Sequence, residues 1–224
     1  MSAVIVRRLI AKDWYLQRWT IAGYLTAGVV SLFLFGVGGS GPFYAGMVLL
    51  VTALVGLGIH LAIATVVGER TEHTLPFVMT LPISNRDYTT SKVVANLSLF
   101  LAPWTALVAG VLTVLGVRSA ETRSLIPWAT LILVELLAAY TLLLFVALVT
   151  ESLPWTIGVM VAANLFFQAF LYFVSKMRGI AGPMSAKRLE WTSTASRLLS
   201  VEIAVIVLLL ALTFVLRARK TDFL

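Results

Sequence analysis

The chain has 224 residues, 60% hydrophobic and 12% charged, about half the charge of a soluble domain, which places it in the membrane class. Its 17 Lys and Arg outnumber its 10 Asp and Glu, yet they stand at the ends of apolar runs with no aromatic-interleaved basic stripe; that is a pattern of membrane topology rather than of nucleic-acid binding. With no cysteine, a disulfide framework and a thiolate metal site are excluded.

Residues 1–19, "MSAVIVRRLIAKDWYLQRW", read as an amphipathic interfacial helix. At about 100° per residue, Ile5, Val6, Leu9 and Leu16 fall on one arc and Arg7, Arg8, Lys12 and Arg18 on the other. Trp14, Tyr15 and Trp19 supply rings suited to the headgroup level. Asp13 falls inside the apolar arc and needs a cation, from a neighbour or from a partner. Charges recur through the segment, and it has neither an uninterrupted apolar core nor a small-residue cleavage site. It is therefore expected to belong to the working protein rather than to a signal peptide.

About 20 mainly apolar residues cross roughly 30 Å of hydrocarbon. Six runs qualify: 21–37, 43–67, 93–117, 125–149, 155–174 and 198–216. The first also recruits Trp19 and Thr20. The predicted fold is an all-α membrane protein with six transmembrane helices, a single domain over 1–224 whose spans fill 20–216. "GGSGP" at 38–42 and "TESLP" at 150–154 are tight turns, and 118–124 is a short polar link. Only 68–92 and 175–197 are long enough to hold structure outside the bilayer core. Ten of the 17 Lys and Arg lie on the side of both chain ends and of 68–92, and seven lie on the other. By the positive-inside rule the chain ends and 68–92 are cytoplasmic and 175–197 is external. Lys176, Arg178, Lys187, Arg188 and Arg197, between the fifth and sixth spans, run against that bias. Within 175–197, Gly182 and Pro183 are expected to start a short helix, with Leu189 and Trp191 towards the membrane and Lys187 and Arg188 towards water.

The segment 68–92, "GERTEHTLPFVMTLPISNRDYTTSK", opens with charge at Glu69, Arg70 and Glu72. It continues through an apolar patch of Leu75, Phe77, Val78, Met79 and Leu81 and turns at Pro82. Ser84 and Asp87 then form an S-x-x-D box that starts the third long helix. An apolar patch on a short polar connection lies back on the membrane or fits another protein.

This segment resembles the cytoplasmic loop of ABC-2-type transporter permeases. The matching residues are Glu69, Arg70, Thr74, Leu75, Leu81, Pro82, Ile83, Ser84 and Lys92. "RRLIAKDWYLQRW", with its pair Lys12 and Asp13, is similar to the family's N-terminal elbow helix, and the basic end "RARKTDF" is of the family's kind. The six-span layout extends the resemblance over the whole chain. Two positions depart from the pattern: His73 stands where a glycine often precedes the T-L pair, and Pro76 interrupts a stretch that is commonly helical. The docking helix is then shorter or starts at Pro76, since proline suits a first turn.

The resemblance implies that 68–92 carries a coupling helix seated in a groove of a separate ATPase subunit, with Glu69, Arg70, Glu72, Thr74, Leu75, Phe77, Val78, Leu81 and Pro82 at the contact. It implies two ATPase subunits that bind ATP and Mg and a second permease, either a copy or a relative. The setting is the cytoplasmic (inner) membrane of a prokaryote, and the direction is export. The chain itself carries no G-x-x-x-x-G-K-[ST] phosphate loop, so this chain is not the ATP-hydrolysing enzyme. "GVGGSG" at 36–41 lacks the lysine and reads as a turn.

Polar residues inside the apolar runs are the remaining candidates. Glu135 lies mid-way along the fourth run, where a carboxylate costs several kcal/mol and faces a bundle interior or a wet cavity. Counting about 1.5 Å per residue from the 150–154 turn, Gln168 falls at the depth of Glu135, and Asn164 lies nearby. These three, with His60 in the second run, mark a substrate route or an interhelical polar contact. His60 has no second ligand near it in sequence and reads as a satisfied polar residue. Glu202 is expected at the interface, paired with Arg197. Asn96, Pro103 and Trp104 shape a kink or pack. No Ser/His/Asp set, acid pair or H-E-x-x-H motif is found. The competing functions are an intramembrane lipid-modifying enzyme and an ion-coupled secondary transporter, each using Glu135.

Overall fold

The computed structural model describes residues 2–68 and 85–219. Helix α1 (Ser2–Val37) turns at Gly38 and Gly39 into α2 (Ser40–Ala62), which ends in a π-helical turn, Ile63–Val67. Helix α3 (Asn85–Arg118) leads through the four-residue α4 (Ala120–Arg123) into α5 (Ile126–Thr150). Then follow α6 (Leu153–Lys176), the short α7 (Arg178–Ser185) and α8 (Ser193–Arg219). Six of the helices are long and apolar enough to cross a membrane. The chain is thus an all-α, multi-pass membrane fold, as its apolar runs predict, and the described residues form no strand.

The reversals follow from local chemistry. Gly38 and Gly39 both take positive φ, 93° and 83°, a region open to glycine at no steric cost. Ser119 caps α4 through a reciprocal box with Thr122. Proline stands in the first turn of both α5 and α6, where its missing N–H removes no helical bond.

Helix α5 is the axis of the bundle. It packs against α2, α3, α6 and α8, while α1 lies along α2 and α3. Of the most apolar stretch of α5, 61% is buried, against 11% for α6 and α8. A helix apolar on every side is buried on every side, and the composition of α5 selects it for the centre. The contact between α1 and α3 is reciprocal: Leu107 fills the space over Gly28, and Leu32 fills the space over Gly110.

Two expectations about local structure are corrected. The boundary expected between an interfacial segment 1–19 and a span from 20 onwards falls inside one element, since α1 runs from Ser2 to Val37. No glycine or proline stands before Gly23 to interrupt it. Leu16, placed on the apolar arc, is 61% exposed, whereas Asp13 is 3% exposed. The short helix between the fifth and sixth spans starts at Arg178, not at Gly182, and holds Pro183 in its last turn. The carbonyl that Pro183 cannot serve, Gly179 O, accepts instead from Thr192 Oγ1 at 2.7 Å. Leu189 and Trp191 are exposed, 52% and 45%.

Candidate functional site

The residues implied for docking, Glu69, Arg70, Glu72, Thr74, Leu75, Phe77, Val78, Leu81 and Pro82, lie outside the described residues, as does Ser84 of the expected capping box. What the structure describes is the pair of helices from which that segment leaves and to which it returns, together with a belt of buried polar groups that binds them.

The belt begins in the π-helical turn. Thr65 Oγ1 lies 2.7 Å from Leu61 O and 2.8 Å from Asn96 Oδ1, sharing its proton between them. Asn96 Nδ2 donates to Lys92 O at 3.0 Å, and Tyr140 donates from α5 to Asn96 O at 3.0 Å. The Tyr140 ring stacks on Phe100, with centroids 4.0 Å apart. π-Helical turns interrupt α-helices mostly at functional positions. Here the turn lets the end of α2 present Thr65 to α3.

Asp13 is the next member. Lys92 Nζ donates to Asp13 Oδ2 at 2.9 Å, and Lys12 Nζ lies 3.5 Å from Oδ1. The cation that Asp13 needs therefore comes from α3, as well as from its own neighbour. Trp14 Nε1 adds a bond to Ser98 Oγ at 3.0 Å, so α1 is held to α3 at two successive residues. Of the other interfacial residues, Arg7 and Arg8 are exposed, and Arg18 sits over the Tyr15 ring at 4.1 Å.

Opposite this pair, Arg217 near the end of α8 pairs with Glu151 in the turn between α5 and α6. The guanidinium also lies 5.8 Å from the Tyr88 ring centroid on α3. Arg217 is 2% exposed. The two ion pairs and the Thr65–Asn96–Tyr140 bonds together join α1, α3, α5 and α8 to the end of α2, at the end of the bundle where 68–92 attaches.

No protein-family model, curated protein or solved structure matches the chain. The site therefore rests on its own geometry and on the resemblance of its sequence.

The remaining polar candidates separate. His60 Nε2 donates to Gln17 Oε1 at 3.0 Å, which joins α2 to α1 and gives the histidine an interhelical role. Asn164 is exposed and donates weakly to Met160 O, at 3.4 Å. Gln168 is exposed and makes no bond to Glu135. Depth along a helix does not fix azimuth, and α6 turns Gln168 outward. Glu135 is instead buried on α5, one turn after Leu131, which packs with Ala195 and Leu198 of α8, and Glu202 stands one turn after Leu198. Glu202 is buried in the bundle, 5% exposed, and pairs with no cation among the described residues, Arg197 included. Arg197, five positions earlier, stands about 140° away round the helix. Trp104 packs and donates Nε1–H to Leu133 O at 3.0 Å. Among the described residues, no three His, Cys, Asp or Glu side chains gather as a metal site requires.

At the opposite end of the bundle a cleft of ≈ 750 Å³ opens between the α1–α2 turn, α4 and α7, lined by Ser40, Tyr44, Arg118, Thr122 and Ser185. Lys187 crosses it to pair with Glu121. Arg118 Nη1 donates to Phe35 O and closes the end of α1 onto α3.

Proposed function

We propose that this chain is the membrane-spanning permease subunit of an ATP-driven transporter of the ABC-2 type, working as an exporter. The observation that carries the reading is the double attachment around 68–92. The helix entering the segment and the helix leaving it are bonded to each other through Thr65 and Asn96, and the second is locked to α1 through Lys92 and Asp13. Among the features that resemble the permease family are the Lys12–Asp13 pair, the 68–92 segment that ends in Lys92, and the basic end that begins at Arg217. Of their described residues, Lys12, Asp13, Lys92 and Arg217 take part in the belt's ion pairs.

In this reading two ATPase subunits bind ATP and Mg and close on each other. Their movement is delivered to 68–92 through Leu75, Phe77, Val78 and Leu81. Because a buried ion pair and buried hydrogen bonds join α1, α3 and the end of α2, displacement of the segment moves these elements as one lever. Arg217, Glu151 and Tyr88 extend the lever to α8. Two permeases, identical or related, enclose the route in the inner membrane of a prokaryote, with the chain ends cytoplasmic. The apolar outer faces of the spans meet lipid.

The test is co-purification of the full chain in detergent with the ATPase encoded beside it. Wild type is expected to retain the ATPase, and Leu75→Asp and Leu81→Asp are expected to lose it while keeping wild-type helicity. A wild-type chain that purifies alone, or variants that bind equally well, would overturn the reading.

A further inference from the structure

Glu135 and Glu202 stand at one depth. Each is the ninth residue after the first of its helix, Ile126 in α5 and Ser193 in α8, which is about 13 Å into the bundle at 1.5 Å per residue. The two helices pack side by side. They run parallel, because their later ends meet through Glu151 and Arg217. The carboxyls are 7% and 5% exposed, and one turn before them Leu131 of α5 packs in one cluster with Leu198 of α8.

The second observation concerns Glu202 alone. Both of its oxygens are buried with no hydrogen-bond partner among the described residues. An ionised carboxylate in that condition is strongly disfavoured at mid-membrane depth. Glu135 makes no ion pair among the described residues either, so nothing offsets two negative charges placed together.

The ionisable groups on the surrounding elements are engaged or distant. On α2, His60 is bonded to Gln17, and Tyr44 lies by the outer cleft. On α3, Lys92 serves Asp13, Asp87 and Tyr88 stand at the same end, and Arg118 reaches Phe35 O at the other. On α5, Tyr140 donates to Asn96 O. Tyr172 and Lys176 on α6 and Arg178 on α7 lie towards the Arg118 end, and Tyr172 and Lys176 face each other there. On α8, Arg197 is exposed and Arg217 holds Glu151.

The choice of ligand follows from the donor set. A divalent cation such as Ca²⁺ or Mg²⁺ asks for about six oxygens, and two carboxyls supply too few. Neither residue lines the outer cleft or the apolar cavity between α2, α5 and α6. A proton needs no cavity.

We propose that Glu135 and Glu202 form an intramembrane proton-binding site, in which burial between α5 and α8 keeps a proton on the pair while the two helices are in contact. Loss of the proton to water leaves two carboxylates side by side, and their repulsion separates α8 from α5. Uptake of a proton removes one of the two charges and lets the helices close. The site gives a transport cycle a proton-linked step at the α5–α8 contact. It stands whether or not an ATPase drives the chain, so the co-purification above and the experiment below succeed or fail separately.

The experiment is difference infrared spectroscopy of the full chain in lipid nanodiscs, titrated from about pH 5 to about pH 9, following the carbonyl stretch of protonated carboxylic acids. The expected wild-type result is a protonated-acid band that survives at neutral pH and disappears in two steps, as a coupled pair titrates. Glu135→Gln and Glu202→Gln should each leave a single step, and the double variant should lose the band. A wild-type chain without the band at neutral pH, a double variant that keeps it, or single-variant curves that sum to the wild-type curve would each overturn the proposal. A second readout needs no change at either glutamate. The chain has no cysteine, so spin labels at Thr130→Cys and Ser200→Cys report the α5–α8 distance. That distance should lengthen on alkalinisation, and an unchanged distance would also overturn the proposal.

Discussion

Lys92 donates to Asp13 at 2.9 Å across 79 positions of chain, and the two side chains are only 2% and 4% exposed. Breaking one half of such a pair costs about 3–5 kcal/mol, while replacing both halves with apolar groups is close to neutral. Asp13→Asn and Lys92→Met should therefore each destabilise the chain by about that amount. The effect should be larger for Asp13→Asn, since Lys12 keeps a cation 3.5 Å from Asp13 when Lys92 is gone. The double variant Asp13→Leu, Lys92→Met should recover most of the loss. A double-mutant cycle from reversible unfolding in detergent measures this, and additive losses would mean that the two residues act independently.

Arg217 and Glu151 differ from the exposed pair Lys187 and Glu121 in burial: 2% and 13% side-chain exposure against 62% and 63%. An exposed pair contributes about 0–1 kcal/mol and is screened by salt, whereas a buried one is screened much less. Lys187→Ala should leave stability almost unchanged. Arg217→Lys should loosen the last turns of α8, because lysine lacks the planar fork that reaches Glu151 and faces Tyr88 together. Hydrogen exchange of residues 210–217 reads the difference, with faster exchange expected for Arg217→Lys and wild-type protection for Lys187→Ala.

These pairs mark where the sequence stops being legible. Apolar length alone locates all six long helices, because hydrocarbon thickness sets the scale and a run such as 125–149 has no other use. Periodicity identifies Asp13 as misplaced on its arc but does not name Lys92, since one helix carries no record of its neighbour's azimuth. The same gap sent Glu135 towards Gln168 instead of Glu202. Glu202 is expected to pair with Arg197 because both stand near the start of the sixth apolar run, and nothing in the run's end at 216 names Glu151 as the partner of Arg217. Their helices extend beyond those runs: α8 begins at Ser193, five residues before the run at 198, and this extension carries Glu202 inward. The signal available for both was that a charge near a helix end still needs a side to face.

Tyr140 joins α5 to α3 in two ways that mutation separates. Tyr140→Phe removes the bond to Asn96 O and keeps the ring on Phe100, so a loss of about 0.5–1.5 kcal/mol is expected. Phe100→Ala removes a ring that is 1% exposed and leaves a cavity, for about 3–5 kcal/mol. Thermal unfolding of the two variants should rank them in that order. A Tyr140→Phe loss as large as that of Phe100→Ala would mean that the hydroxyl organises the whole belt rather than contributing one bond.

Gly46 tests how closely α1 and α2 must approach. A Cβ built there lies 2.9 Å from Ser31 O and 3.2 Å from Leu34 Cβ. The first of these atoms is backbone and cannot rotate away. At Gly28 the obstacle is nearer, 2.5 Å, but it is the methyl end of Leu107, which another rotamer can clear. Overpacking against fixed atoms costs about 1–3 kcal/mol, so Gly46→Ala should lower stability by that amount and Gly28→Ala by less. Gly158→Ala on α6 meets nothing within 4 Å and should be neutral or stabilising, because alanine is the better helix former by about 1 kcal/mol. Unfolding midpoints of the three variants should fall in the order Gly158→Ala, Gly28→Ala, Gly46→Ala from most to least stable. Equal midpoints for the last two would mean that α1 and α2 can slide apart without loss, and that the close crossing at Ser31 is not what fixes their angle.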